Sequence, residues 1–228
     1  MSSAIDLSPL WISLETAAAT IAIVFVLGVV AAWWVERLSS EKAKILIDGI
    51  FTLPMVLPPT VDGFFLLVIF GNNRLVGRFF IDSFGVQIAF SWLATVLAAA
   101  VISFPLMYRS ARGALMQVDK GIMEAGRSLG MTEWRIFWRL HLPNAFPGII
   151  AGGLLAFARG LGEFGATAML AGNIAGKTRT LPLAVYSAVA AGDFDSAGVY
   201  VLIIVTICLA VVIGLNYYQH YMKKRMED

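Results

Sequence analysis

The 228-residue chain is short of charge: Asp, Glu, Lys and Arg make up 14% of it, against 59% hydrophobic residues. Ordinary soluble domains run at about 25% charged and about 45–50% apolar, so this composition excludes a typical soluble enzyme, a disordered chain and a nucleic-acid-binding chain. Cysteine is nearly absent. Cys208 stands alone in an apolar run, which excludes an intrachain disulfide and every cysteine-based zinc spacing. The two histidines, His141 and His220, have no Cys/His cluster beside them, so no metal site is expected. A basic segment of the kind that opens a cleaved signal peptide is also missing from Met1-Ser2-Ser3-Ala4-Ile5-Asp6, and the N-terminus is expected to belong to the mature chain.

What the chain has in abundance is long apolar runs. A bilayer core of about 30 Å needs about 20 apolar residues per helix, and Leu10–Trp34, Ile45–Phe70, Ile88–Met107 and Gly198–Tyr218 meet that length. A fifth run, Phe146–Leu161 extending towards Ala168, carries Arg159 and Glu163. Leu181–Gly192, bracketed by Lys177, Arg179, Asp193 and Asp195, suits a short re-entrant or interfacial helix. The expectation is therefore an all-α membrane protein of five transmembrane helices, with one transmembrane domain over residues 10–220. Cytoplasmic loops are enriched in Lys and Arg. Twelve of these residues, among them Arg37, Arg109, Arg112, Arg127, Arg139 and the tail Lys223–Arg225, fall on one side and four on the other. The N-terminus is thus expected outside and the C-terminus in the cytoplasm; a sixth span would carry the Lys223–Arg225 cluster outside, against the rule.

The longest polar segment, residues 108–144, then becomes a cytoplasmic loop, and residues 165–197 an external region containing the short helix. Within the loop the pattern is helix–glycine–helix: Gly130 suits a left-handed end to the first helix, and Thr132 is a good N-cap for the second. Pro143 is expected to end the second helix. Trp134, Phe137, Trp138 and Leu140 form an apolar stripe that would lie on a bilayer or dock a partner. No stretch is long and polar enough to fold as a separate catalytic domain, so any driving chemistry must come from another chain.

This loop resembles the E-A-A-x3-G-x9-I-x-L-P loop of type I ABC importer permeases. Glu124, Ala125, Gly130, Leu142 and Pro143 match, while Gly126 stands for the second Ala and Leu140 for Ile. The resemblance implies that Glu124–Pro143 docks into a groove of an ATPase subunit. Leu53–Val61, Ala89–Trp92, Phe157–Thr167 and Gly172–Pro182 are similar to the molybdate branch of the family, part of which sulfate permeases share. It further implies a homodimer, two ATPase subunits that bind ATP and Mg²⁺, and a periplasmic or extracellular oxyanion-binding protein, in a bacterial cytoplasmic membrane. The cargo would be molybdate or tungstate, with a sulfate-type oxyanion as the alternative. This chain would bind no cofactor and catalyse no covalent step.

Pathway candidates are Pro58, Pro59, Asp62, Arg159, Glu163, Phe164 and Thr167. Pro54, Pro58 and Pro59 remove three backbone donors from the second run, and broken backbone at membrane depth is tolerated only where it is buried or lines a cavity. Arg159 and Glu163, four apart, share a helix face and can neutralise each other. They read equally as an anion-guiding gate pair or as a structural ion pair. Asp62 sits where the family usually has a small or apolar side chain, and its carboxylate would repel an anion. Gly148 and Gly152 form a G-x-x-x-G that permits close helix approach. Ala171–Thr178 nearly matches a phosphate-binding loop, but it follows a membrane helix rather than a strand and reads as a turn. A rival class, an ion-coupled secondary transporter relaying through Asp62, Arg159 and Glu163, would leave the long loop without purpose. An intramembrane enzyme finds no nucleophile–base constellation.

Overall fold

The computed structural model describes residues 5–227; residues 1–4, and the side chains of the 223–225 basic tail, lie outside the described residues. All regular elements among the described residues are helical. The first, α1 (Ser8–Glu36), opens with Pro9 in its first turn, where the missing N–H costs nothing. It lies against α5 (Trp92–Met116) and α8 (Leu142–Leu161). Val24, Ala32, Met107, Tyr108, Ala111 and Ile149 form their common core.

The second apolar run is not one helix. α2 (Glu41–Val56) and α3 (Pro59–Phe70) meet at 110°. Leu57 and Pro58 are extended, with ψ of 148° and 134°. Each precedes a proline, whose ring excludes the helical conformation of the residue before it. Pro54 stays inside α2 and breaks nothing. Among the described residues the helices long and apolar enough to span a bilayer number four, or five spans if the bent pair crosses as one.

Three boundaries differ from the sequence reading. The third span runs on to Met116, because Tyr108, Ala111 and Leu115 continue its buried stripe, so the polar loop starts at Gln117 rather than Tyr108. Pro143 does not end a helix. The turn Phe137–His141 widens into a π-helix, in which the Leu142 N–H bonds to the Phe137 carbonyl, and the chain passes through Pro143 into α8. One extra residue in the turn absorbs the ring and the missing donor. The fifth run stops at Leu161, capped by the Gly162 N–H on the Ala158 carbonyl, and resumes as the separate α9 (Gly165–Leu170).

Between α3 and α5 lies α4 (Leu75–Phe84), an amphipathic helix ended by left-handed Gly85. The polar loop contains α6 (Lys120–Ser128) and α7 (Glu133–Ile136). The short helix α10 (Leu181–Ala190) packs on α11 (Phe194–Glu227) and is tied to α1 by the buried bond from the Leu181 N–H to Ser13 Oγ, 2.7 Å. α8 lies tightly on α5 through small residues. A Cβ on Gly152 would overlap the Ser110 Cβ, and one on Gly148 would come within 2.7 Å of the Ala114 Cβ. The G-x-x-x-G of α8 thus faces a second small-residue pair on α5. Val26, Leu202, Val205 and Ile213 stand exposed on the outer faces of α1 and α11, a surface that needs lipid or another chain against it.

Candidate coupling surface and gate

The polar loop is a compact hairpin. Asp119 caps α6 by accepting from the Gly121 N–H at 2.8 Å. Gly130 ends it at φ +72°, and the Met131 N–H reaches back to the Gly126 carbonyl at 3.1 Å. Thr132 Oγ1 then accepts from the Arg135 N–H, 3.4 Å, starting α7. The helix–glycine–helix order expected from Gly130 and Thr132 is the order found.

Gly126 is the buried centre of the hairpin. A Cβ there would stand 2.8 Å from Leu140 Cδ1 and 3.2 Å from Ile136 Cγ1. The two positions at which this chain departs from the family pattern therefore touch each other, the lost methyl at 126 making room for the longer reach of Leu140. The apolar stripe divides. Ile136 and Phe137 are buried, Phe137 beneath Trp33 of α1 at 4.9 Å between ring centres, whereas Trp134 and Trp138 remain exposed. Glu124 and Ala125 of α6 and Leu129 at its end are likewise exposed, and Leu142 and Pro143 sit where the hairpin enters α8.

Electrostatics and one long-range bond fix the hairpin to the body. Glu133 accepts from Arg127 at 2.7 Å and pairs with Arg37 at 3.4 Å, while the Arg37 guanidinium lies over Trp33 at 4.3 Å. The hydrogen bond from Arg127 holds the Glu133 carboxyl below its ordinary value of 4.5, so the pair stays charged from neutral pH down past that point. His141 Nε2 meets the Leu115 carbonyl at 2.9 Å.

At the opposite end, the two breaks pack against each other. A Cβ on Gly165 would lie 2.9 Å from Pro59 Cβ, and one on Gly63 would lie 2.7 Å from Ala166 Cα, so α3 and α9 are in backbone contact. Asp62, Glu163 and Thr167 are buried at this seam. Glu163 lies in the break itself, past the end of α8, and not on the same helix as Arg159. The pair forms nonetheless, Arg159 Nη1 to Glu163 Oε2 at 3.0 Å, while Glu163 Oε1 caps α9 by accepting from the Ala166 N–H at 2.8 Å. One buried carboxylate thus joins a guanidinium to the first turn of the next helix. Asp62 Oδ2 has no hydrogen-bond partner among the described residues. Pro58 and Phe164 stand at the exposed rim, Phe164 against Tyr186.

Sequence reasoning missed a half-buried charge network. Arg112 donates to Glu36 at 2.8 Å and to Asp48 at 2.6 Å, and Tyr108 donates to Asp48 at 2.9 Å, joining α1, α2 and α5. The signal is Asp48, a carboxylate inside an apolar run that demands a partner. In the stretch resembling a phosphate-binding loop, Thr178 Oγ1 accepts from the Ile174 N–H at 3.0 Å, and Gly172 and Gly176 take positive φ. It is the turn joining α9 to α10.

Residues 10–228 match the family described as binding-protein-dependent transport system inner membrane component. The chain is 44% identical over 208 residues to the molybdenum transport system permease protein ModB of Escherichia coli K12, covering 90% of each. It is 42% identical over 200 residues to the putative molybdenum transport system permease protein YvgM of Bacillus subtilis, covering 88% of each. A sulfate transport system permease protein CysT of Synechocystis is 32% identical over 203 residues, 89% of this chain and 70% of that one. Among solved structures, the inward-facing methionine ABC transporter MetNI contains a chain that superposes with a TM-score of 0.73 at 17% identity, covering 93% of this chain and 94% of that one.

Proposed function

Because the chain belongs to the family of inner membrane components of binding-protein-dependent transport systems, we propose that it is the membrane-spanning subunit of an ATP-driven importer of molybdate or tungstate. The observation that carries the cargo is the 42–44% identity over about nine-tenths of the chain to permeases named for molybdenum, against 32% to the sulfate permease. A sulfate-type oxyanion is the second reading, favoured by that shared similarity.

In this reading the chain is one transmembrane domain of a bacterial cytoplasmic membrane, with its N-terminus outside and its basic end in the cytoplasm. Five spans are too few to enclose a solute path, so two copies pair across it. Each copy offers the exposed Glu124, Ala125, Leu129, Trp134 and Trp138 to an ATPase subunit, and an external oxyanion-binding protein delivers the cargo. ATP and Mg²⁺ bind the ATPases; this chain holds no cofactor. The buried Gly126, Ile136 and Phe137 make the hairpin rigid, and Arg37, Glu133 and His141 fasten it to α1 and α5. A push on its outer face is therefore passed to the α1–α5–α8 body as a whole. Closure of the ATPase pair on ATP then drives a rigid-body change between inward- and outward-facing states, through differential binding of the two arrangements. The seam of Pro59, Asp62, Glu163 and Thr167 serves as the outer gate, where Arg159 favours an approaching dianion while Glu163 keeps the guanidinium from holding it too tightly.

Co-purification of the ATPase with this chain tests the docking surface. Scrambling Glu124–Gly130 should abolish capture while Thr206→Ala, on the far α11, leaves it intact. Capture that survives the scramble would remove the hairpin from the coupling role.

A further inference from the structure

A cleft of about 560 Å³ opens where the basic end of α5, the start of α8 and the N-terminus of α6 meet. Arg109, Ser110, Gln117, Asp119, Asn144 and Gly148 are among the residues that line it. Arg112, one turn further along α5, is held by two carboxylates, whereas Arg109 has no ion-pair partner among the described residues. The one carboxylate on the wall, Asp119, already accepts from the Gly121 N–H at 2.8 Å. The Ser110 hydroxyl and the Gln117 amide add neutral polar groups, and Asn144 uses its amide N–H on the Leu140 carbonyl at 2.6 Å. A side chain at Gly113 would meet nothing within 4 Å, so the space beside it is empty of protein. Just beyond, the contacts of Gly148 with Ala114 and of Gly152 with Ser110 close α8 onto α5. These two contacts hold α8 against α5 beside the cleft and fix the spacing of its two walls.

We propose that this cleft is an exit site for the transported tetrahedral oxyanion, with the Arg109 guanidinium as its principal contact. The inference rests on the oxyanion reading above. An unpaired guanidinium in a partly enclosed cleft concentrates anions from the surrounding water and offers a two-pronged donor that matches two oxygens of a tetrahedral dianion. Its placement fits a relay. α8 reaches from Leu142 beside the cleft to Arg159 at the gate, about 25 Å at 1.5 Å per residue, so a guanidinium stands near each end of the same helix. Arg159 is restrained by Glu163, and Arg109 is free to take the anion and release it to water.

The test uses the complete permease–ATPase complex in nanodiscs, carrying Cys208→Ser and Gln117→Cys, and follows the rate at which an impermeant maleimide labels position 117. Millimolar molybdate or tungstate should slow labelling, and chloride at matched ionic strength should not. Arg109→Gln should raise the half-protecting concentration about tenfold, Arg109→Lys should recover part of the loss, and Gly113→Leu, which fills the space, should abolish protection by molybdate. Labelling that ignores molybdate, protection unchanged in Arg109→Gln, or labelling blocked by the ATPase alone whatever the anion would each overturn the exit site, the last by making the cleft a subunit contact. A complex that transports molybdate but shows no protection removes the exit site only. A complex that transports no oxyanion removes the functional reading beneath it.

Discussion

The contact between α5 and α8 is the tightest test of the packing. In Gly152→Ala the new Cβ overlaps the Ser110 Cβ, and at the neighbouring step a Cβ on Gly148 would stand only 2.7 Å from the Ala114 Cβ. Carbon–carbon contacts settle at about 3.5–4.0 Å, so α8 would have to retreat from α5 by roughly 1 Å or more. Overpacking costs about 1–3 kcal/mol, with an outright overlap such as this in the upper half of that range, and the better helix propensity of alanine returns about 1 kcal/mol. The expected net loss is about 1–2 kcal/mol, or about 2–8 °C in the unfolding midpoint at 2–4 °C per kcal/mol. The assay is the fraction of purified protein that stays monodisperse in detergent after heating. Ser110→Gly on the same background removes the clashing Cβ and should show a favourable coupling of about 1 kcal/mol with Gly152→Ala in a double-mutant cycle. Gly214→Ala, on α11 where a Cβ meets nothing within 4 Å, is the control and should not lower the midpoint. A Gly152→Ala protein as stable as the parent, or costs that simply add, would refute the close approach.

Arg112→Met leaves Glu36 and Asp48 facing each other without their cation; side-chain exposures of 21–32% reduce the cost of a broken buried pair to about 1–3 kcal/mol of stability, and Asp48→Asn on top should recover part of it in the same heating assay. Gly126→Ala alone pushes its methyl to 2.8 Å from Leu140 Cδ1 and should weaken ATPase capture, while the double change with Leu140→Ile, which withdraws that tip, should restore it. Arg159→Met leaves Glu163 with its cap on Ala166 but no cation at 3.0 Å; uptake should fall sharply while the chain still folds and captures ATPase, and unchanged uptake would reduce the pair to a structural role.

Much of the fold is legible in the sequence because the bilayer makes the length of an apolar run a strong signal. The long apolar runs form α1, α5, α8 and α11, and Leu181–Gly192 forms the short α10. Gly130 and Thr132 take the cap positions their chemistry favours. What periodicity cannot see is how a helix accommodates a local fault. Pro143 reads as a terminator, yet a π-turn one step earlier absorbs it; Pro54 is tolerated within α2, whereas the extended pair Leu57–Pro58 turns the chain through 110°. Spacing places Arg159 and Glu163 on one helix, and the pair survives although Glu163 leaves it, because charge contact requires proximity and not a shared ladder. The Arg112 network joins positions 36, 48, 108 and 112, far apart in sequence, and only the fold could bring them together.

The most direct measurement of the central claim is uptake of labelled molybdate into proteoliposomes holding this chain with its ATPase and external binding protein, with and without ATP at the ATPase face. The account predicts uptake that requires ATP, stops when Glu124–Gly130 is scrambled, and is competed by tungstate but not by sulfate. ATP-dependent uptake competed by sulfate would move the cargo to the sulfate-type reading, and uptake that ignores ATP and follows an ion gradient would contradict the account.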